Sequence, residues 1–210
     1  CIDLGYYING NIYSNLADAY KAAGKAEESK SALEKGFVAF PQNQAILVGL
    51  INLYIESGDD TNKLFDLLHT AQANEPGNAS LFYVEGDVHK KLGNKEKAIE
   101  YFQKSMDVDP KYVYGILNIG ILYYDTAVEI QEKASMEYDD AKYAVLLADL
   151  NQNLENAIEP MEKAFALAEG DHELQVAIAE YRKNIFFRFR DKSDAYMASY
   201  EKYNAIVNGQ

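Results

Sequence analysis

The residues best suited to chemistry are scattered along the chain. Its three histidines, His69, His89 and His172, fall in different segments. His69 reads as a surface or packing residue rather than a ligand, and His89 adjoins Lys90 and Lys91 without a carboxylate at ligand spacing. Cys1, the sole cysteine, has no histidine nearby in sequence to activate it and no second thiol to pair with. Asp59-Asp60 and Asp139-Asp140 read as turn and helix-cap residues. Gly115 and Gly120 lie within a helical pattern, not in a phosphate-binding loop, and Asn78-Ala79-Ser80 is a formal glycosylation triplet of a kind common by chance. No metal set or nucleophile pair follows, so neither an enzyme nor a cofactor is expected.

One cluster breaks this dispersion. Arg182, Lys183, Arg188, Arg190 and Lys192 are interleaved with Phe186, Phe187 and Phe189. Such a patch can dock an acidic partner. It can equally be a helix whose aromatics pack inward while Arg and Lys cover its end and complement the helix dipole. The second reading fits the rest of the chain better. The formal net charge of −13 disfavours nucleic acid and anionic lipid. A basic surface on another protein would be attracted.

The elements that must position these residues are helical. The 210 residues include only four prolines and no tryptophan, but 17 tyrosines. Three prolines punctuate the first half, Pro41, Pro76 and Pro110, at intervals of 35 and 34 residues. Gly24, Gly58 and Gly93 repeat at 34 and 35. Each interval thus reads as helix, glycine turn, helix, proline stop, since glycine accepts the left-handed conformation that ends a helix and proline cannot continue one. Apolar residues at spacings of three and four put one face of each helix in a core: Tyr13, Leu16, Ala17 and Tyr20, then Leu47, Leu50, Ile51 and Tyr54. The third unit carries Phe82, Gly86, Ala98 and Phe102.

These residues resemble the tetratricopeptide repeat, whose signature is W-x2-L-G-x2-Y, then A-x3-F and a final P. The third unit matches best, with Gly86, Ala98, Phe102 and Pro110 in register. The first has Tyr13 in place of the Trp, and the second has one extra residue in its turn near Asp59 and Asp60. The resemblance implies an all-α fold of tandem helical hairpins forming a right-handed α-solenoid. The repeats are placed at about 10–41, 44–76, 79–110 and 113–169, as one domain. Residues 1–5 read as the tail of an earlier repeat, lost by truncation. The acidic composition and repeat style are compatible with a bacterial source, in cytoplasm or periplasm.

The fourth unit departs from the pattern. Ile116, Ile119, Gly120 and Tyr123 fit its first helix, but the second resumes only at Ala157, Met161 and Ala164. The insertion, about 125–156, keeps helical stripes: Ala127, Ile130 and Ala134, then Tyr143, Leu147, Leu150 and Leu154. One elongated hairpin is therefore expected, each helix longer by about 12 residues or about 18 Å. Pro160 is expected to kink the returning helix. A capping hairpin at 171–207 completes the chain, atypical because its outer face meets water.

In the family the first helix of each repeat lines a concave surface that holds peptides or helices, and the resemblance implies the same here. By register the partner-facing residues are Asn11, Ser14 and Asp18, then Val48, Asn52 and Ile55, then Tyr83, Asp87 and Lys90, then Tyr114, Leu117, Ile121 and Tyr124. Tyr114 and Tyr124 can alternatively pack against the long hairpin. Ser14 and Val48 stand where a chaperone-tail clamp has its first Lys, and Asp18 where it has an Asn, so that role is not expected. The expected partner is another protein or peptide, with no nucleic acid and no membrane span, since no run of 18 apolar residues occurs. The chain is expected to be a monomer or weak homodimer. An alternative makes the elongated hairpin a structural or self-association module.

Overall fold

The computed structural model describes residues 10–41, 43–57 and 61–209, and among them every regular element is helical. The sequence expectations for 1–5, Gly58, Asp59 and Asp60 lie outside the described residues, as does the side chain of Ile55. The chain forms two compact units, one ending at Asp109 and the other beginning at Pro110.

The first unit contains α1 (Asn11–Ala22), α2 (Ala26–Ala39), α3 (Gln44–Ser57), α4 (Thr61–Asn74), α5 (Ala79–Lys91) and α6 (Lys95–Val108). Gly24 and Gly93 close the α1/α2 and α5/α6 turns at φ 72° and 77°, a conformation costly for any residue with a Cβ. Pro41, Pro76 and Pro110 stand two residues beyond the ends of α2, α4 and α6, where a helix can no longer use their missing N–H. Tyr13, Ala17, Leu33, Phe37, Leu50, Tyr54, Leu64, Leu68, Leu81 and Val88 belong to one buried cluster. Its polar exceptions are satisfied locally. Ser29 Oγ donates to the Ala17 carbonyl at 2.8 Å, and Tyr54 Oη donates to Glu34 Oε1 at 2.6 Å.

The second unit contains α7 (Val113–Ser135), α8 (Asp140–Leu167), α9 (His172–Phe189) and α10 (Asp194–Val207), with a short 3-10 turn at Arg190–Lys192. α7 has 23 residues and α8 28, against 13 and 14 in α5 and α6. Asp139 caps α8, its side chain accepting from Lys142 N at 2.9 Å. α8 runs through Pro160 as one helix. Small residues bring α7 and α8 together: Gly120, Ala127 and Ala134 on one side face Leu150, Leu154, Ala157, Met161 and Ala164, all buried, on the other. α9 and α10 share an aromatic core of Phe186 and Tyr203, stacked at 9° with centroids 5.9 Å apart, onto which Phe165 of α8 packs edge-on.

Candidate functional site

In the first unit, α1, α2 and α3 surround a cleft of about 730 Å³. Its rim is polar, made by Ser14, Asn15, Asp18 and Lys21 from α1 and Asn52 from α3. Its floor is apolar, made by Leu33 of α2 with Val48, Gly49 and Leu53 of α3. Spacings of three, four and seven residues explain why one face of each helix supplies these groups. Gly49 lets Leu33 pack closely on α3, because a Cβ there would stand 3.0 Å from Leu33 Cδ2. Val48 is 52% exposed, an aliphatic side chain held in water beside carboxylate and amide groups. Such a surface can take an extended or helical segment, with apolar area below and hydrogen-bond partners at the edge.

Of the residues assigned by register, Ser14, Asp18, Val48 and Asn52 line this cleft. Asn11 lies beside it and accepts from Asn43 Nδ2 at 2.8 Å. Tyr83 packs on Phe102, ring centroids 5.6 Å apart, and Asp87 pairs with Lys91 at 3.1 Å; Lys90 is half-buried. In the second unit Tyr114 is 44% exposed and meets Tyr112 edge-on, whereas Leu117 is buried. Ile121 and Tyr124 are half-buried. Tyr124 lies edge-on to Tyr181 at 5.1 Å, and its hydroxyl accepts from Asn184 Nδ2 at 3.4 Å. Thus Tyr124 packs against α9. Sequence spacing also contained Lys21 and Ala45, which continue the Ser14–Asp18 and Val48–Asn52 stripes. No such signal marks Leu33, which belongs to a second helix.

A buried polar cluster was hidden from sequence reading. Glu85, 1% exposed, accepts from His69 Nε2 at 2.8 Å and from Gln72 Nε2 at 2.7 Å. The Tyr101 hydroxyl also bonds Glu85; burial first, and then this bond, push its pKa up to about 12. His89 is buried between Phe65 and Tyr101, with centroids at 4.7 and 5.4 Å, and its Nδ1 has no hydrogen-bond partner. Loss of solvent holds its pKa below the ordinary value, Glu85 opposing. The expectation that His89 has no carboxylate at ligand spacing is therefore corrected: Glu85 lies one turn earlier on α5, and packing of α4 adds His69. The cluster is a satisfied carboxylate at the junction of α4 with α5. Among the described residues no three His, Cys, Asp or Glu side chains converge as a metal site.

The Arg/Phe cluster divides. Phe186 and Phe189 are buried, and Arg182 is buried with them, its guanidinium 4.3 Å from the Tyr203 ring centroid. Phe187 is 50% exposed, with Arg190 stacked on its ring at 3.8 Å. No described helix is long and apolar enough to cross a membrane.

Comparison with known proteins agrees with this architecture. The Photosystem I assembly protein Ycf3 of Rippkaea orientalis is 30% identical over 63 residues, 30% of this chain and 36% of that protein. The Ycf3 of Cyanophora paradoxa is 27% identical over 62 residues. The aligned part spans about a third of the length of these relatives. Among solved structures, a double mutant of MamA RS-1 superimposes with TM-score 0.52 at 16% identity, covering 97% of both chains. MamA residues 41 to end from Desulfovibrio magneticus RS-1 superimpose with TM-score 0.51 at 17% identity, covering 97% of this chain and 98% of that one. Both likenesses are of fold. Residues 11–112 match the tetratricopeptide repeat family model, and proteins built on that repeat generally mediate protein–protein interaction or assembly.

Proposed function

We propose that this chain holds a segment of a partner protein, with the cleft of α1, α2 and α3 as the primary seat. The observation that carries this reading is the convergence of Ser14, Asp18, Val48 and Asn52 on one open cleft with an apolar floor. These are the positions at which the family's register puts partner contacts. Asp18 favours a basic residue in the bound segment, and Leu33, Val48 and Leu53 favour an aliphatic or aromatic one. Tyr83, Asp87 and Lys90 extend the proposed contact surface along the register within the first unit. The role is one of holding rather than turnover, in keeping with the generally non-enzymatic scaffolds of the family. The partial match to a protein named for photosystem assembly supports the broader theme of assembly.

The test is selection of binding peptides from a displayed random library, followed by affinity measurement on variants. Selected peptides are expected to combine a Lys or Arg with an apolar residue. Val48→Arg should weaken them at least about tenfold, the loss typical of a desolvated contact of about 1.4 kcal/mol. Asp18→Lys should weaken them and select acidic peptides instead. Retention of full affinity by Val48→Arg, with unchanged helicity, would remove the cleft as the seat.

A further inference from the structure

The hairpin of α7 and α8 continues beyond the helix that covers it. α9 packs along α8 through Arg182 with Glu162 at 3.7 Å, Lys192 with Glu155 at 2.8 Å and Arg188 with Asn151 at 2.8 Å. On α7 it reaches Tyr124 through Asn184. At Phe189 the helix ends and the chain turns back into α10. The same face runs on. Three- and four-residue steps from Glu155 and Asn151 lead to Ala148, Ala144 and Ala141, all exposed, and one turn past Tyr124 lies Val128, 42% exposed. Around this bare end Met136 is 73% exposed, Tyr138 97%, Tyr143 40% and Val145 61%. Large apolar side chains concentrated on one projecting element mark a contact surface.

The charges on this hairpin are polar along its length. The distal end carries Glu129, Glu132, Glu137, Asp139 and Asp140 against Lys133 and Lys142. Nearer the base, where α9 ends, stand Arg188, Arg190 and Lys192 against Asp191 and the Glu155 that pairs with Lys192, beside the exposed ring of Phe187. From Asp140 to Glu155 the helix rises about 22 Å.

We propose that the occupant of this face is a second copy of the chain, its hairpin laid antiparallel across the first about a two-fold axis. The four helices then form a bundle contact. In that orientation the acidic end of each copy meets the Arg188, Arg190 and Lys192 end of the other, twice by symmetry. A parallel pairing would instead set two acidic ends side by side. Tyr138 of one copy reaches the Phe187–Arg190 stack of its partner, adding ring and cation–π contact. The alanines let the helix axes approach to the 8–10 Å or so of tight helix packing. The footprint, about 22 by 20 Å on each copy from helix length and width, is that of a weak, reversible pair rather than a permanent dimer. This proposal does not depend on the cleft.

Sedimentation velocity of the full chain at low salt, from about 1 to about 200 µM across the range expected for such an interface, tests it. The wild type should pass from monomer to dimer, and salt should raise the dissociation constant. Tyr138→Asp should raise it at least tenfold. So should Glu137→Lys with Asp140→Lys, and separately Arg188→Glu with Arg190→Glu. Combining both charge reversals in one chain should restore the dimer, because each contact then regains opposite signs. Val48→Arg, in the cleft, should leave the dimer unchanged. Helicity by circular dichroism checks that each variant is folded. A wild type still monomeric at about 200 µM overturns the proposal, leaving another protein as the occupant. A dimer indifferent to Tyr138→Asp overturns it too, as does a combined variant that fails to recover.

Discussion

Gly86 lies so close to Phe102 that a Cβ on it would stand 2.5 Å from Phe102 Cδ1 and 3.2 Å from the Ala98 carbonyl. The hairpin of α5 and α6 is closed on that contact, with Phe102 wholly buried. Gly86→Ala is expected to destabilise the protein by about 1–3 kcal/mol through overpacking. A Cβ on the equivalent glycine of the second unit, Gly120, would stand 2.6 Å from Met161 Cγ. Methionine has more rotatable bonds with which to yield, and alanine gains about 1 kcal/mol of helix propensity over glycine. Gly120→Ala should therefore fall within about 1 kcal/mol of wild type. Urea unfolding of both variants makes the comparison; an equal or larger loss at Gly120 would refute it.

His89 should make stability depend on pH. Its pKa is lowered in the folded state, mainly by burial, so between the folded and unfolded values the unfolded chain binds the extra proton. Stability is then fully present above the unfolded histidine value, about 6.5, and is lost as pH falls through the folded one. Glu85, Glu100, Lys97 and His69 act on the same ring. Urea midpoints measured between pH 8 and pH 5, roughly the range over which histidine titrates, should fall more steeply for wild type than for His89→Leu. Parallel curves would show that His89 contributes nothing to the dependence.

Arg182 is a buried cation whose carboxylate partner, Glu162, sits in water. Its Nε has no hydrogen-bond partner, and Phe165, Phe186 and Tyr203 surround it. The side chain thus stabilises mainly by packing, and burial lowers its pKa. Arg182→Met, which fills the space without the charge, should leave stability within about 1 kcal/mol of wild type or raise it. Arg182→Ala should cost about 2–4 kcal/mol by leaving a cavity. Thermal and urea melts of the pair separate packing from charge. If both variants lose alike, the charge itself is what stabilises.

At the far end of the long hairpin, Asp139→Ala should cost about 1 kcal/mol of local stability in the first turn of α8, by removing the acceptor for Lys142 N. Amide exchange of residues 142–145 should quicken while the protection of Leu154 to Ala164 holds. Unchanged exchange at the tip would mean that the cap is dispensable.

Much of the architecture was written in local signals. Glycine at 24 and 93 and proline at 41, 76 and 110 restrict the backbone where they stand, whatever surrounds them, and turns and helix ends fall there. The three- and four-residue apolar spacing put Tyr13, Ala17, Leu50, Tyr54, Ala98 and Phe102 in the core because helix geometry alone decides which side chains share a face. The long insertion kept that spacing, so its helical nature was legible as well. At Pro160 the helix is not interrupted: α8 runs through it. A single missing N–H bond is tolerable where neighbours such as Ala157, Met161 and Ala164 are buried against α7.

What lay between helices was not legible. Glu85 and His69 are 16 residues apart and meet only because α4 packs against α5. Leu33 became the floor of a cleft only when α2 was laid beneath α3. The three phenylalanines of α9 are alike in sequence, yet Phe186 and Phe189 are buried, whereas Phe187 packs on Tyr200 of α10 and is still half in water. By itself, then, the sequence determined the helices, their punctuation and their repeat pattern, all of which depend on backbone restriction and periodicity. Only the tertiary structure decided which polar groups share a site and which apolar ones stay bare, because those depend on how neighbouring helices pack.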